Sequence, residues 1–137
     1  MTLAHFTLAY WCILAVALLP VICAGIAKYG TLRTAPKNGG YDNNNPREWL
    51  ARQTDWRARA NAAQANTFEA IPFFFAAVII AHQLQASQAW VDGLALLFVA
   101  LRIAYIGLYV TNRASARSLV WAIALFANIG ILFMGFR

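Results

Sequence analysis

Four apolar stretches separated by polar breaks dominate the chain. The first runs from Phe6 to Tyr29 and is interrupted only by Pro20. It exceeds the ~20 residues a helix needs to cross the hydrocarbon core, and membrane helices tolerate a proline kink. Gly30 to Asn45 is polar, holds Pro36, Gly39, Gly40 and three consecutive asparagines, and reads as a loop. Asn45 then suits a helix cap, Pro46 the first helical position and Glu48 a capping-box partner, so a second helix starts near Pro46. Its first half, Arg47 to Ala65, is charged and projects from the membrane. Its second half, Phe68 to Leu84, is apolar apart from Glu69, His82 and Gln83. Pro72 removes the backbone bond to Phe68 and bends the helix beside Asn66 and Glu69. After the polar turn Gln85 to Gln88, Ser87 caps a third helix that reaches Thr111. After a second turn, Asn112 to Ala114, Ser115 caps a fourth that runs to Phe136. The pattern predicts an all-α chain forming one membrane domain over 1–137, with helices at about 6–29, 46–84, 88–111 and 115–136.

Composition supports lipid as the solvent. The chain is 61% hydrophobic and 12% charged, whereas a soluble domain carries roughly a quarter charged residues. The spans fit an integral membrane four-helix bundle. No basic segment precedes the first run, which with the later spans argues for a true membrane helix over a cleaved signal peptide. The net charge of +6 would suggest nucleic acid in a soluble protein, but no recognition fold is visible. It reads instead as topology. Lys28, Arg33, Lys37, Arg47, Arg52, Arg57 and Arg59 follow the first span, and Arg113 and Arg117 follow the third, while the connection after the second span has no basic residue. Basic loops stay in the cytoplasm, so both termini face away from it; Arg137 is the contrary charge. Cys12 and Cys23 sit about 16 Å apart along one helix. They cannot bridge and read as packing residues.

Charge at membrane depth costs roughly 2.5–3.5 kcal/mol and therefore points to a partner or a function. Glu69 and Arg102 are the two such residues. Arg102, Tyr105, Tyr109 and Arg113 recur at helical spacing and share one face. The plainer reading is a structural Arg102–Glu69 pair with two tyrosines packed nearby. Asn66 and Glu69 are three apart, and Arg59 lies earlier on the same side. The column offers a guanidinium, an amide and a carboxylate; the plainer reading is a solvated face with one ion pair. Arg117 and Ser118 fall in the first turn of the fourth helix, where free backbone N–H groups and the helix dipole favour an anion. An arginine there also favours a thiolate over a thiol; the plainer reading is a headgroup anchor. Asn128 reads as an interhelix hydrogen bond. His82 reads as interfacial, with no second His or Cys at a metal-binding spacing, so no metal is expected.

The run Arg57-Ala58-Arg59-Ala60-Asn61-Ala62-Ala63-Gln64-Ala65-Asn66-Thr67-Phe68-Glu69-Ala70-Ile71-Pro72 resembles the signature of the MAPEG superfamily, the membrane-associated proteins of eicosanoid and glutathione metabolism. Its core is Asn66, Glu69 and Pro72. Arg102-Ile103-Ala104-Tyr105, then Tyr109, then Arg113-Ala114-Ser115-Ala116-Arg117-Ser118 are similar to helix three and the start of helix four in the microsomal glutathione transferases and the prostaglandin E and leukotriene C synthases. The resemblance implies a homotrimer that binds glutathione between neighbouring protomers near the cytoplasmic face. Asn66 and Glu69 would hold its peptide part, Tyr105 and Tyr109 would line the pocket, Arg117 and Ser118 would stabilise the thiolate, and Trp121 would flank the site. Arg102 would pair with Glu69 or touch glutathione. Ala62 stands where several members carry an arginine, and Ala70 where others carry a tyrosine; Arg59 or Arg33 could supply the missing cation. The implied activity is a glutathione-dependent transferase or peroxidase acting on lipophilic electrophiles or hydroperoxides that arrive from the bilayer. Two other readings stay open: a non-catalytic binding or scaffold protein of the same fold, and a small four-helix exporter built on Glu69.

Overall fold

A computed structural model describes residues 6–136. In chain order, α1 spans Leu8–Lys28, a 3-10 turn Pro36–Asn38, α2 Pro46–Ala51, α3 Asp55–Gln83, α4 Gln88–Val110 and α5 Ala114–Phe133. The four long helices are each apolar and long enough to cross a membrane. Their outer faces carry exposed Leu14, Leu18, Val21, Leu96, Ile103 and Phe126. Water would penalise apolar surface on that scale, whereas lipid does not. The chain is an integral, multi-pass membrane protein with an all-α four-helix bundle. Arg137 lies outside the described residues.

Two of the expected boundaries change. The single helix expected over 46–84 is two helices. Glu48 pairs with Arg52 across one turn instead of capping Asn45, whose own side chain donates to Asp42. Thr54 is extended and Asp55 has φ +53°. A helix cannot run through a left-handed residue, so the chain ends α2 and restarts as α3. The last helix begins at Ala114, one residue before Ser115, and ends at Phe133 rather than Phe136. Neither Ser87 nor Arg113 makes a side-chain cap bond.

Packing decides the order of the bundle. α1 packs on α3 and α4, α5 packs on the same two helices, and α3 also meets α4. The α3–α4 pair is thus the short diagonal, with α1 and α5 on opposite sides. Phe74 and Phe98 stack at its centre with ring centroids 4.3 Å apart. Around them Ala9, Ala77, Ala81, Ala95 and Ala124 are buried. In lipid the hydrophobic effect does not hold helices together, so small residues that permit close dispersion contact carry the association.

The two ends of the bundle are tied differently. At the basic end, α3 continues past the span, as its length of about 44 Å requires against a ~30 Å hydrocarbon core. From this projecting half the Arg57 guanidinium donates to the Ala27 and Tyr29 carbonyls at 3.0 and 2.7 Å. Arg59 Nε donates to the Val110 carbonyl at 2.9 Å. Cations thus satisfy carbonyls at the C-terminal ends of α1 and α4, where the dipole favours them. Lys28 sits over the Tyr41 ring at 4.3 Å, and Tyr41 meets buried Trp49 edge-on, which folds the first loop onto this end. At the other end Asp92 Oδ1 accepts from the Ala9 N–H at 2.8 Å and from Gln88 at 2.7 Å. His82 Nδ1–H donates to the Val78 carbonyl at 2.7 Å, so Nε2 accepts from the Thr7 hydroxyl at 2.9 Å. The His82 ring also stacks on Tyr10 at 4.2 Å.

Tight turns finish α3 and α4. Gln85 and Asn112 are left-handed, at φ +53° and +61°. Backbone bonds run from Ala86 to Ala81 and from Arg113 to Leu108, at 3.0 and 2.9 Å. These are Schellman closures, which satisfy the last carbonyls and reverse the chain at once. The second one brings the first turn of α5 back over the last turn of α4.

Candidate functional site

The interior polar set starts on α3. The buried Thr67 hydroxyl donates to the Ala63 carbonyl one turn back, at 2.7 Å, so its oxygen can still accept. Arg102 on α4 is 1% exposed and directs Nη2 to Thr67 Oγ1 at 2.9 Å and to Asn66 Oδ1 at 3.1 Å. Its guanidinium also lies over the Tyr105 ring at 4.3 Å. The Asn66 amide in turn donates to Glu69 Oε2 at 3.4 Å. The expected direct pair between Arg102 and Glu69 does not form. Arg102 points into the bundle, Glu69 is exposed, and the Asn66 carboxamide stands between them. The result is a guanidinium–amide–carboxylate line across the α3–α4 diagonal. It compensates the buried charge without a contact ion pair. Arg102 Nε has no hydrogen-bond partner.

The second polar set sits where α4 turns into α5. The Arg117 guanidinium lies over the Tyr109 ring at 4.2 Å, and Tyr109 meets Tyr105 edge-on at 5.6 Å. Among the described residues Arg117 has no acidic partner; the ion pair found among them, Arg52–Glu48, belongs to α2. Arg117 closes the first turn of α5 and Ser118 follows it; the Arg117 N–H already donates to the Arg113 carbonyl at 3.0 Å.

Two adjoining hollows connect these sets. One, of about 210 Å³, is lined by Asn66, Tyr105, Arg117, Ser118 and Trp121. The other, of about 170 Å³, is lined by Asn66, Glu69, Ala70, Phe73, Phe98, Arg102, Trp121, Ala124, Leu125 and Asn128. Asn66 and Trp121 are walls of both. A cation, hydroxyl, amide and carboxylate therefore converge between α3, α4 and α5, with an apolar chamber beside them. Such a set can bind an anion with an amine-bearing or amide-bearing tail and hold an apolar molecule next to it.

The expected site residues separate into groups. Arg117, Ser118, Asn66, Tyr105 and Trp121 share the first hollow, and Glu69 and Arg102 join Asn66 and Trp121 in the second. Tyr109 supports Arg117 from beneath. Arg59 lines neither; its Nε is held by Val110. Ala62 lines a separate hollow of about 420 Å³ on another side of α3, together with Arg47. The sequence reading missed Thr67, whose signal was a hydroxyl one turn after Ala63 on the face that meets α4, and the walls Phe73, Phe98, Ala124 and Leu125. The interhelix bond expected of Asn128 is not made through its oxygen, since Oδ1 is buried without a partner.

Comparison with known proteins adds one finding: the model of the MAPEG family matches residues 8–137. No curated protein and no solved structure matches the chain.

Proposed function

The chain belongs to the MAPEG family, and from that premise we propose that it is a glutathione-dependent membrane transferase or peroxidase acting on lipophilic electrophiles or hydroperoxides. The observation that carries the reading is the convergence of Arg117, Ser118, Asn66, Tyr105 and Trp121 on one hollow at the start of α5. Glutathione supplies a thiol that ionises to a nucleophile. The residues present fit it. Arg117 is a cation with no acidic partner among the described residues, and beside a thiol it favours the thiolate. The Ser118 hydroxyl, a wall of the same hollow, adds a donor toward the same charge, and a positioned donor of this kind stabilises a developing anion without reorganising. Glu69, held by Asn66, offers a carboxylate to an ammonium group. Tyr109 under Arg117 fixes the guanidinium by a cation–π contact.

The apolar neighbour of this hollow, walled by Phe73, Phe98 and Leu125, gives a lipophilic molecule a place within reach of the thiolate. The site opens on the outer side of the protomer through exposed Glu69 and Trp121. We place a second copy of the chain across that opening, in a homotrimer, with the basic end and the site facing the cytoplasm as the charge distribution directs. Arg47, which shares the outer hollow with Ala62, then supplies a cation toward a neighbour.

Equilibrium dialysis of glutathione against the nanodisc-embedded protein tests the reading. Saturable binding is expected, weakened about tenfold in Arg117→Ala by the loss of one charge-assisted contact and partly restored in Arg117→Lys. Absence of binding at millimolar glutathione contradicts it and favours a non-catalytic protein of the same fold.

A further inference from the structure

α1 fixes where the membrane boundary falls at the basic end. Its 21 residues, Leu8–Lys28, rise about 31 Å and match a hydrocarbon core of ~30 Å, so Lys28 reaches the headgroup level. The loop that follows is tied to that level. The Thr31 N–H and hydroxyl both donate to the Lys28 carbonyl, at 3.0 and 2.7 Å. The Tyr41 N–H donates back to the Thr31 carbonyl at 3.2 Å. The returning chain passes so close that a side chain at Gly40 would overlap the Thr34 carbonyl. Arg57 holds the base through the Tyr29 carbonyl. Residues 31–41 therefore form a closed turn beside the membrane boundary.

This turn exposes two kinds of side chain. Tyr29 is 76% and Leu32 69% exposed. A lone exposed leucine is ordinary in water, but apolar and aromatic side chains at this depth suit the zone where headgroups meet acyl chains. Arg33 and Lys37 are exposed on the same turn, and neither has an acidic partner among the described residues. Residues 28–41 contain no acid. Asp42 and Glu48, which share a hollow with Pro36, are engaged by Asn44 and Asn45 and by Arg52. Two uncompensated cations thus stand beside apolar side chains at the membrane boundary.

That combination selects the partner. A soluble anion would use Arg33 and Lys37 but leave Leu32 and Tyr29 in water. A zwitterionic headgroup brings a cation of its own. An anionic phospholipid offers a phosphate to the cations and its chains to the apolar pair. We propose that the first loop is a docking surface for anionic phospholipid in the leaflet that α1 leaves at Lys28. Arg33 and Lys37 take the phosphate, and Leu32 and Tyr29 enter the headgroup–acyl boundary. The surface shares no residue with the Arg117 hollow, so it stands or falls separately from glutathione binding.

The test is native mass spectrometry of the full chain, delipidated in detergent and titrated with phosphatidylglycerol or phosphatidylcholine of identical acyl chains, glutathione absent. The first phosphatidylglycerol is expected to bind about 25-fold tighter than the first phosphatidylcholine, from about fivefold for each cation beside an anionic headgroup. Arg33→Gln combined with Lys37→Gln should bring the two lipids to within about threefold. Arg47→Gln combined with Arg113→Gln removes the same charge from exposed positions elsewhere at the basic end and should keep the preference. Leu32→Ser should weaken phosphatidylglycerol about tenfold through lost apolar contact. Glycerol 3-phosphate, an anion without chains, should fail to displace the lipid at hundredfold excess. Equal binding of the two lipids by the wild type, or a preference that survives in the loop pair, would overturn the assignment. So would a preference lost equally in the control pair, unchanged affinity in Leu32→Ser, or displacement by glycerol 3-phosphate, which would mark a site for soluble anions.

Discussion

The two helices that flank the α3–α4 diagonal make an instructive contrast. The polar contacts around α1 are closed. Asp92 caps its start, His82 and Thr7 satisfy each other, and Arg57 covers the carbonyls at its end. Around α5 they are open. Arg117 rests on a tyrosine ring with no acidic partner among the described residues, and Asn128 Oδ1 is buried and unmade. Both flanks pack on the same two helices, so packing alone does not explain the difference. Closed polar groups stabilise a bundle, whereas open ones are costly unless they meet a ligand. On the proposed reading the α1 side is the frame and the α5 side is the site.

That division predicts which substitutions change chemistry and which change stability. The largest effect is expected from Arg117→Ala, which should lower glutathione-dependent turnover about 10²–10³-fold, the usual loss for one preorganised anion-stabilising group. Thermal unfolding in nanodiscs should barely move, because nothing closed is broken. Next comes Asp92→Ala. It strips the Ala9 N–H and the Gln88 amide of their acceptor and should cost about 1–2 kcal/mol, read by denaturant unfolding in bicelles with glutathione binding retained. Arg57→Ala, which uncovers the carbonyls at the end of α1, should cost about 0.3–1 kcal/mol by the same measurement. If either α1-side variant abolished glutathione binding in a protein that stayed folded, the division would be wrong.

The smallest effect is local. In the first loop the Asn44 N–H and the Asn45 side chain, both donating to Asp42, hold its carboxyl below the ordinary range. A lowered pKa means this support is present above the usual carboxylate range and is lost as pH falls through the lowered value. The Asn44 amide resonance should follow that titration, and Asp42→Ala should remove the response while the rest of the spectrum stays unchanged.

The contrast also marks what local sequence pattern can carry. The spans and the column Asn66–Glu69 follow from periodicity, because residues three and four apart must share a helix face. The short turn at Asn112 brings Arg117 above Tyr109, a contact the sequence pattern did not name. Contacts between distant segments did not follow. Asp92 looks like an ordinary acid near the start of α4, yet its partner is a backbone N–H of α1. Arg59 looked like a ligand-facing cation, but its Nε closes α4 at Val110. Arg102 and Glu69 suggested a pair by charge, and the intervening Asn66 amide is visible only once α3 and α4 are packed. The break at Thr54 was hidden because Asn45, Pro46 and Glu48 give a good helix start and nothing after them signals a stop.

The central claim is that the open end of α5 generates a thiolate. Ultraviolet difference absorbance of glutathione bound to the nanodisc-embedded protein, titrated against pH in wild type and Arg117→Ala, tests it most directly. The account predicts a thiolate band that persists well below the pH at which free glutathione ionises and that disappears in the variant at equal glutathione occupancy. A band of the same size and pH dependence in both proteins would contradict it.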